Sequence, residues 1–301
     1  MPHRGARLST IWIDLLGSQT RYLGNRYRTR VIEAGDGAPL LLLHGVGGHS
    51  EAYAKNITRL GRTSRAMALD FLWHGYSSKP EYVDGEDIPA YAAQIIDLLD
   101  AEGIERADIE GESLGGWVAM WLALHHADRV NRLILNTTAG IRFAPGVVPE
   151  RPKEGRELLA TRSLAAINEP NRETIRKRLE WLFATPDRVT DELAELRFQL
   201  YANPEIQASL RSVFLNAFAG HGAPRKVIPE AELENIAAPT LVLWTDHNPG
   251  TGPEVGRYIA SRIPGAQFAC IEDAAHWPQW EQAEEHDRIV AAFLAGEPVG
   301  A

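Results

Sequence analysis

Short apolar runs that end in glycine or a polar residue recur along this chain, and segments with helical spacing separate them. The clearest runs are PLLLLHG at 39–45, RAMALDF at 65–71 and PTLVLW at 239–244. Strands buried on both faces have such continuous apolar runs, and helical crossovers join them in parallel. The pattern therefore predicts an α/β fold in which helices cover both faces of a mostly parallel sheet.

The region 141–230 breaks this alternation. It begins with FAPGVVPERPKEGRE, which is rich in Pro, Arg and Glu, and continues with helical patterns such as ETIRKRLEWLFA. An insertion of this size between two strands is most simply a helical lid. We therefore expect a core made of residues 1–140 and 231–301, with a lid over 141–230.

Charge and cysteine content narrow the classes of function. The net charge of −9 argues against binding to a phosphate backbone, which requires clustered basic residues. Cys270 is the single cysteine, so an intrachain disulfide cannot form and a reducing compartment fits. The apolar runs are too short to cross a bilayer. We expect a soluble, cytoplasmic protein with no nucleic-acid or membrane partner.

The segment IEGESLGGWVAMWLALHH at 109–126 predicts a strand, a tight turn and an apolar helix. The turn contains Ser113 in a G-x-S-x-G pattern, which is typical of a nucleophilic serine between a strand and a helix. Glycines are required because side chains beside the serine would collide. A chance Gly/Ser turn is the alternative, but the strand–turn–helix setting favours Ser113 as the nucleophile.

The glycine-rich loop HGVGG is a candidate oxyanion hole. In this arrangement the N–H of Leu114, just after the nucleophile, and one N–H from the loop bind the developing negative charge. Val46 is the first choice for the loop donor and Gly47 the second, whereas a plain glycine-rich turn is the alternative. The loop lacks the Lys and Ser/Thr of a phosphate loop, and no ligand spacing indicates a metal. We expect neither a cofactor nor a metal.

The catalytic base and its orienting partner should follow the nucleophile in the chain. His276 lies after the last predicted strand, in AAHWPQWE, which matches the order Ser, acid, His. The stretch TLVLWTDHNPG at 240–250 offers two partners, Asp246 and Asn248. Asp246 would stabilise the imidazolium by its charge, whereas Asn248 lies where spacing places the acid and could orient the ring through its amide oxygen. Both are candidates.

These motifs resemble the α/β-hydrolase fold family over essentially the full chain, through HGVGG, DFLWHGYSSKP, GESLGG and AAHWPQWE. Within it, HWPQWE at 276–281 is similar to meta-cleavage-product hydrolases, which cleave carbon–carbon bonds in vinylogous 1,5-diketones formed by ring opening of aromatic compounds. The resemblance implies a mostly parallel eight-stranded sheet flanked by helices, with a helical lid insertion. It also allows a homodimer.

The resemblance further implies residues that bind substrate. The lid segment LAELRFQLY places Arg197 where the family keeps an arginine for the substrate's carboxylate, with a solvated helix face as the alternative. Trp277 is expected in the substrate pocket, with core packing as the alternative. Two positions depart from the family: Glu112 replaces the usual Asn before the nucleophile, and Ala52 replaces a polar Asn after the oxyanion loop. Both family groups are thought to contact the dienol form of the substrate, so Glu112 and Ala52 are expected to contact the substrate, whose exact identity is not implied.

The sequence thus predicts a cofactor-free serine hydrolase that cleaves a carbon–carbon bond in a small-molecule ring-fission product of aromatic degradation. A carboxylesterase acting on small esters is the first alternative, because it shares the core machinery. A non-catalytic protein that binds a small ligand on the same scaffold is the second. Ser113 and His276, present in the right order, argue against the second alternative.

Overall fold

The computed structural model describes residues 10–149 and 153–299. An eight-stranded sheet lies at its centre, and a separate two-stranded sheet lies outside it. The strands are β1 (Gln19–Leu23), β2 (Thr29–Ala34), β3 (Ala38–Leu43), β4 (Ser64–Leu69), β5 (Ala107–Glu112), β6 (Val130–Asn136), β7 (Ile141–Arg142), β8 (Ile228–Pro229), β9 (Thr240–Thr245) and β10 (Gln267–Ile271).

The sheet order is β1-β2-β4-β3-β5-β6-β9-β10. β2 pairs antiparallel with both β1 and β4, and every pairing from β4 to β10 is parallel. The four leucines at 40–43 are fully buried in β3, as expected for a strand covered on both faces. The predicted mostly parallel, eight-stranded fold is confirmed.

Helices cover the sheet and form the insertion between β6 and β9. In the described residues they are α1 (Ile11–Asp14), α2 (Ala54–Leu60), α3 (Asp87–Ala101), α4 (Leu114–His125), α5 (Lys153–Asn168), α6 (Arg172–Glu180), α7 (Asp191–Ala202), α8 (Pro204–Ala219), α9 (Pro253–Arg262), α10 (Pro278–Glu281) and α11 (Ala283–Leu294). None of these helices has the length and apolar character needed to cross a membrane.

The insertion contains α5 to α8, and the short pair β7–β8 joins its two ends through Ile141 and Ile228. Its helices have locally satisfied starts: Asn171 makes a capping box at α6, and Thr190 accepts from the Leu193 N–H at α7. The lid boundaries at 141 and 230 stay a prediction. Three of its helices, α5, α6 and α8, contribute residues to the cavity described below.

The parallel strands direct the predicted catalytic segments to one edge. The HGVGG loop follows β3, Ser113 follows β5, Asn248 follows β9, and His276 follows β10. Open parallel sheets form their sites at the carboxyl ends of strands, because the loops there converge. The topology therefore brings together segments that are far apart in the chain, from the HGVGG loop at 44–48 to His276.

Candidate active site

Ser113 lies in a strained turn between β5 and α4. Its backbone has φ 53° and ψ −110°, a left-handed conformation that a residue other than glycine rarely adopts. A Cβ at Gly111 would lie 2.2 Å from the Gly115 carbonyl carbon, and one at Gly115 would lie 2.1 Å from the Leu43 oxygen. Since no side chain fits at either position, the two glycines permit the turn that presents Ser113.

His276 is oriented by an amide. Its Nδ1 lies 2.7 Å from Asn248 Oδ1. The Asn248 Nδ2 donates to the carbonyl oxygen of Thr251 at 3.2 Å and to the Thr251 hydroxyl at 2.6 Å. Because a carbonyl can only accept, this fixes which amide atom faces the histidine. His276 therefore carries its proton on Nδ1, and Nε2 is the nitrogen whose lone pair can accept a proton.

Asp246 has a different set of partners. Its carboxylate accepts from the backbone N–H groups of Asp273 and Ala274 at 3.0 and 3.3 Å, and pairs with His247 Nδ1 at 2.8 Å. Burial opposes ionisation, but these contacts hold the pKa of Asp246 below its usual value. Of the two residues that the sequence left open, the structure brings Asn248 to His276, and Asp246 instead secures the loop that precedes the histidine.

A cavity of about 140 Å³ joins the catalytic side chains to the helical insertion. Its walls are formed by the turn that holds Ser113, by the HGVGG loop and by helices α4, α5, α6 and α8. The lining residues used below are Val46, Ser113, Leu114, Trp117, Arg178, Trp181, Arg225 and His276. Both first-choice oxyanion donors, Val46 and Leu114, therefore share this cavity with Ser113.

Gly47, the second choice for the loop donor, already makes hydrogen bonds through its N–H and its carbonyl. Its N–H donates to His74 Nε2 at 3.1 Å, and its carbonyl accepts from the Tyr201 hydroxyl at 2.9 Å. An N–H that already donates to a buried imidazole cannot also bind an oxyanion without breaking that bond. The geometry corrects the expectation for Gly47, and Val46 with Leu114 is the pair of donors that we retain.

Four residues expected to contact substrate do not line this cavity: Arg197, Trp277, Glu112 and Ala52. Ala52 is fully buried in the turn Ser50–Tyr53, where its N–H donates to a backbone carbonyl. The Trp277 ring packs 5.9 Å from Phe183, which agrees with the core-packing alternative.

Arg197 is buried and not on a solvated helix face. Its guanidinium lies 5.5 Å from the Trp277 ring and 5.6 Å from the Tyr201 ring. Within the described residues, its Nε and Nη2 have no hydrogen-bond partner. A buried cation with unsatisfied donors attracts an anionic ligand, so the expectation of a carboxylate-binding role for Arg197 stays a prediction.

Sequence reasoning missed Arg178, a buried cation on α6 that lines the cavity. Its Nε and Nη1 lack a hydrogen-bond partner among the described residues, and burial lowers the pKa of Arg178 to about 10, so it stays charged at neutral pH. Arg225 also lines the cavity, but its charge is paired with Asp87 at 2.8 Å. The signal was present in the sequence, because Arg178 falls at helical spacing from the apolar Ile175 and Leu182.

Glu112 lies beside the histidine. Its Oε1 is 3.1 Å from His276 Nε2, and its Oε2 would be 2.4 Å from a Cβ at Gly45, so the glycine allows the carboxyl group to approach the backbone. Burial raises the pKa of Glu112 to about 8, although the Gly45 amide and the charges of Arg178 and Arg197 act in the opposite direction. A carboxyl group with a raised pKa thus lies next to the predicted base.

In the part of the chain that the structure describes, no three His, Cys, Asp or Glu side chains form a cluster suited to a metal ion. The site instead brings together the predicted nucleophile, the predicted base with its amide partner, the two predicted backbone donors and buried guanidinium groups. Such a set can hydrolyse a carbonyl compound that carries a negative charge.

Comparisons with known proteins agree with this geometry. The model of the alpha/beta hydrolase fold family matches residues 38–283. The chain is 32% identical to the 2-hydroxymuconate semialdehyde hydrolase of Pseudomonas putida, over 89% of this chain and 91% of that protein. It is 31% identical to the 2-hydroxy-6-oxononadienedioate/2-hydroxy-6-oxononatrienedioate hydrolase of Paraburkholderia xenovorans, over 87% and 89% of the two chains.

Among solved structures, a meta-cleavage product hydrolase from Pseudomonas fluorescens IP01 superposes with a TM-score of 0.77 at 25% identity, covering 93% of this chain and 99% of that one. The fold and the sequence relationship point in the same direction. The chain belongs to the α/β-hydrolase fold family, in which its relatives at about 30% identity are meta-cleavage product hydrolases.

Proposed function

We propose that this protein hydrolyses a carbon–carbon bond in a ring-fission product of aromatic degradation, that is, in a vinylogous diketone that carries a carboxylate. Relatives that cover about nine-tenths of the chain act on compounds of this kind by their names. Cytoplasmic location and homodimerisation stay predictions, and the single cysteine, Cys270, fits a reducing compartment.

The observation that carries the proposal is an unpaired, buried guanidinium in the same cavity as Ser113 and His276. Arg178 keeps its charge with no ion pair among the described residues. Burying a charge without a partner is costly, and an incoming carboxylate would remove that cost through two parallel hydrogen bonds. A neutral ester would leave the guanidinium unsatisfied, so the cavity favours an anionic substrate.

The proposed reaction uses groups already in place. His276 Nε2 takes a proton from Ser113 or from a water, and the resulting oxygen attacks the ketone carbon. The N–H groups of Leu114 and Val46 hold the oxyanion. When the tetrahedral adduct collapses, the carbon–carbon bond breaks and its electron pair leaves with the dienoate fragment, where conjugation delocalises it. The proton passes from His276 to the leaving dienoate fragment. If a water attacked, the other fragment is released at once as a carboxylic acid. If Ser113 attacked, the acyl group stays on Ser113 until a water, deprotonated by His276, hydrolyses the ester and releases the acid.

Arg178→Met should raise KM for a carboxylate-bearing dienone by roughly 10- to 150-fold, because a buried charged hydrogen bond contributes about 1.5–3 kcal/mol. KM for a neutral p-nitrophenyl ester should change little. Arg172→Met is the matched control, since Arg172 begins the same helix with a largely exposed side chain paired to Glu195. Steady-state kinetics on both substrates measures the difference.

Arg197→Met should be measured in parallel, because Arg197 is the second buried cation and the one that the family resemblance favoured. A loss confined to Arg197→Met would assign the carboxylate to α7 instead of α6. Equal losses on the dienone and the ester in both variants would mean that the arginines support the fold of the insertion, and would contradict recognition of an anionic substrate.

A further inference from the structure

The two ring nitrogens of His276 face unlike partners. On the Nδ1 side lies the neutral amide of Asn248, at 2.7 Å. On the Nε2 side lies the carboxyl group of Glu112, at 3.1 Å. A histidine that becomes an imidazolium during catalysis is best stabilised by a carboxylate. Here Asn248, which orients the ring, is neutral, and the carboxyl group of Glu112 lies on the opposite side of the ring.

The surroundings of Glu112 show that this carboxyl group has no other ion-pair partner in the described structure. It is 1% exposed, and neither oxygen makes a hydrogen bond of good geometry there. The charges that act on it come from Arg178 and Arg197 on the insertion, and from Glu110 on the same strand. Glu110 itself pairs with His286 at 2.7 Å.

The remaining groups nearby add no competing charge. The Tyr53 phenol is buried, and the electrostatic influence of Glu110 and Glu112 adds to burial in raising its pKa, so it stays neutral. The Gly45 amide presents a dipole to Glu112. On the histidine, the Trp181 ring packs edge-on at 5.5 Å and Asn248 is neutral. His276 is therefore the titratable group in contact with Glu112.

We propose that Glu112 supplies, from the Nε2 side of His276, the carboxylate that Asn248 cannot supply from the Nδ1 side. Glu112 acts through His276 and is a positioning residue. The proposal rests on the proposed function only in taking Ser113 and His276 as the catalytic pair. Members of the family that the sequence resembles usually have Asn at the position of Glu112 and a carboxylate at the position of Asn248. Relative to them, the carboxylate of this chain lies on the opposite side of the His276 ring.

The proton balance defines which form is active. Near neutral pH the pair Glu112–His276 holds one shared proton, on either Oε or Nε2, and titrates as a unit. Once that proton is lost, Nε2 can accept the proton of Ser113 while the serine oxygen bonds to the substrate carbonyl carbon. The imidazolium then lies against the Glu112 carboxylate. When the adduct collapses, the same proton passes to the leaving fragment, and the pair returns to its deprotonated form with the acyl group on Ser113. The pair then takes a proton from the water that attacks this ester and passes it to the Ser113 oxygen as the carboxylic acid leaves.

This scheme fixes the pH dependence. Activity should rise with pH and reach half its plateau near pH 8, where burial places the pKa of Glu112, instead of near the ordinary histidine value. In Glu112→Gln the partner cannot share a proton, and Arg178 and Arg197 disfavour the imidazolium. The midpoint should therefore fall by at least one pH unit, and the plateau of kcat should fall at least about tenfold.

The test measures kcat/KM against pH for wild type, Glu112→Gln and Glu272→Gln, on a p-nitrophenyl ester and on a dienone. Glu272→Gln is the matched control, because Glu272 is an exposed carboxylate on the loop that leads to His276. Its midpoint should equal that of wild type. An unchanged midpoint in Glu112→Gln would overturn the proposal, because a merely structural role could lower the rate but would not move the titration.

A second variant places the carboxylate on the side of His276 where the family usually has it. Glu112→Gln combined with Asn248→Asp places the carboxylate on the Nδ1 side, and should recover at least about tenfold of the kcat lost in Glu112→Gln. Asn248→Asp alone flanks the imidazole with two carboxylates, so its midpoint should rise and its rate at pH 7 should fall. Additive losses in the double variant would contradict the proposal.

Two readouts do not depend on turnover. Side-chain NMR of His276 in wild type should show titration near pH 8, and titration near the ordinary value of about 6.5 would overturn the proposal even if Glu112→Gln failed to fold. In addition, the folded pair keeps its one proton up to about pH 8, whereas the unfolded chain loses it at the ordinary histidine value of about 6.5, so wild-type stability falls as pH rises between these two values. Glu112→Gln should therefore gain Tm relative to wild type between these pH values.

The two substrates separate this proposal from the proposed function. A shifted ester profile in Glu112→Gln with no dienone cleavage by wild type would support the role of Glu112 and contradict the carbon–carbon hydrolase. Dienone cleavage by wild type with an unchanged midpoint in Glu112→Gln would support the carbon–carbon hydrolase and contradict the role of Glu112.

Discussion

Ser113→Ala is expected to abolish ester hydrolysis and to slow dienone cleavage by roughly 10³- to 10⁶-fold, as loss of a catalytic nucleophile does in serine hydrolases. The cause is chemical, because the change removes the hydroxyl that His276 activates and adds no bulk to the turn. The strained φ of 53° is already imposed on a side chain with a Cβ, so alanine brings no new strain. Stopped-flow absorbance of the dienone and unchanged Tm would document both points.

Ser261→Ala is the matched control, because that serine lies on α9 and its hydroxyl bonds only locally to the Tyr258 carbonyl. It should behave like wild type. Dienone turnover at the wild-type rate in Ser113→Ala would remove Ser113 from the mechanism and leave attack by an activated water, with His276 as the base.

Asn248→Ala is expected to lower kcat by roughly 10- to 1000-fold, a smaller loss than the ~10⁴ seen when a triad carboxylate is lost, because an amide supplies orientation without charge. Without Oδ1 the Nδ1–H of His276 loses its acceptor at 2.7 Å, and the ring can rotate or change tautomer. The measurement is kcat on one ester and one dienone.

Asp246→Asn is the informative comparison, because Asp246 carries the charge that could stabilise the imidazolium but does not contact the His276 ring. Its carboxylate binds the backbone at Asp273 and Ala274 and does not reach the ring. We therefore expect a loss of a few-fold at most, through the loop that carries His276. A severe loss in Asp246→Asn with a mild one in Asn248→Ala would invert the assignment and contradict the geometry.

Local sequence signals sufficed for much of the fold and for the positions of Ser113 and His276, whose catalytic roles stay predictions. The strand–glycine–serine–glycine–helix pattern around Ser113 encodes its own geometry, since the steric demand of the turn is local. His276 followed from chain order and from its place after the last strand. These features depend on few long-range contacts, and the resemblance to the family reinforced them.

Other features depended on contacts that sequence spacing does not encode. The choice of Asn248 over Asp246 depends on how the turn at 246–251 folds, with Thr251 holding the Asn248 amide. The hydrogen bond that the Gly47 N–H donates depends on His74, 27 residues away. The sequence identified Glu112 as a departure from the family, but its contact with His276 required two distant strand ends to meet.

Carbon–carbon bond hydrolysis is tested by the loss of visible absorbance from a panel of carboxylate-bearing ring-fission dienones, with p-nitrophenyl esters measured beside them. We expect that at least one dienone is cleaved to a carboxylic acid and a dienoate, with a kcat/KM well above that of any ester, and that Arg178→Met reduces the difference. Efficient ester hydrolysis with no cleavage across the dienone panel would rule out the carbon–carbon hydrolase and identify the protein as a carboxylesterase.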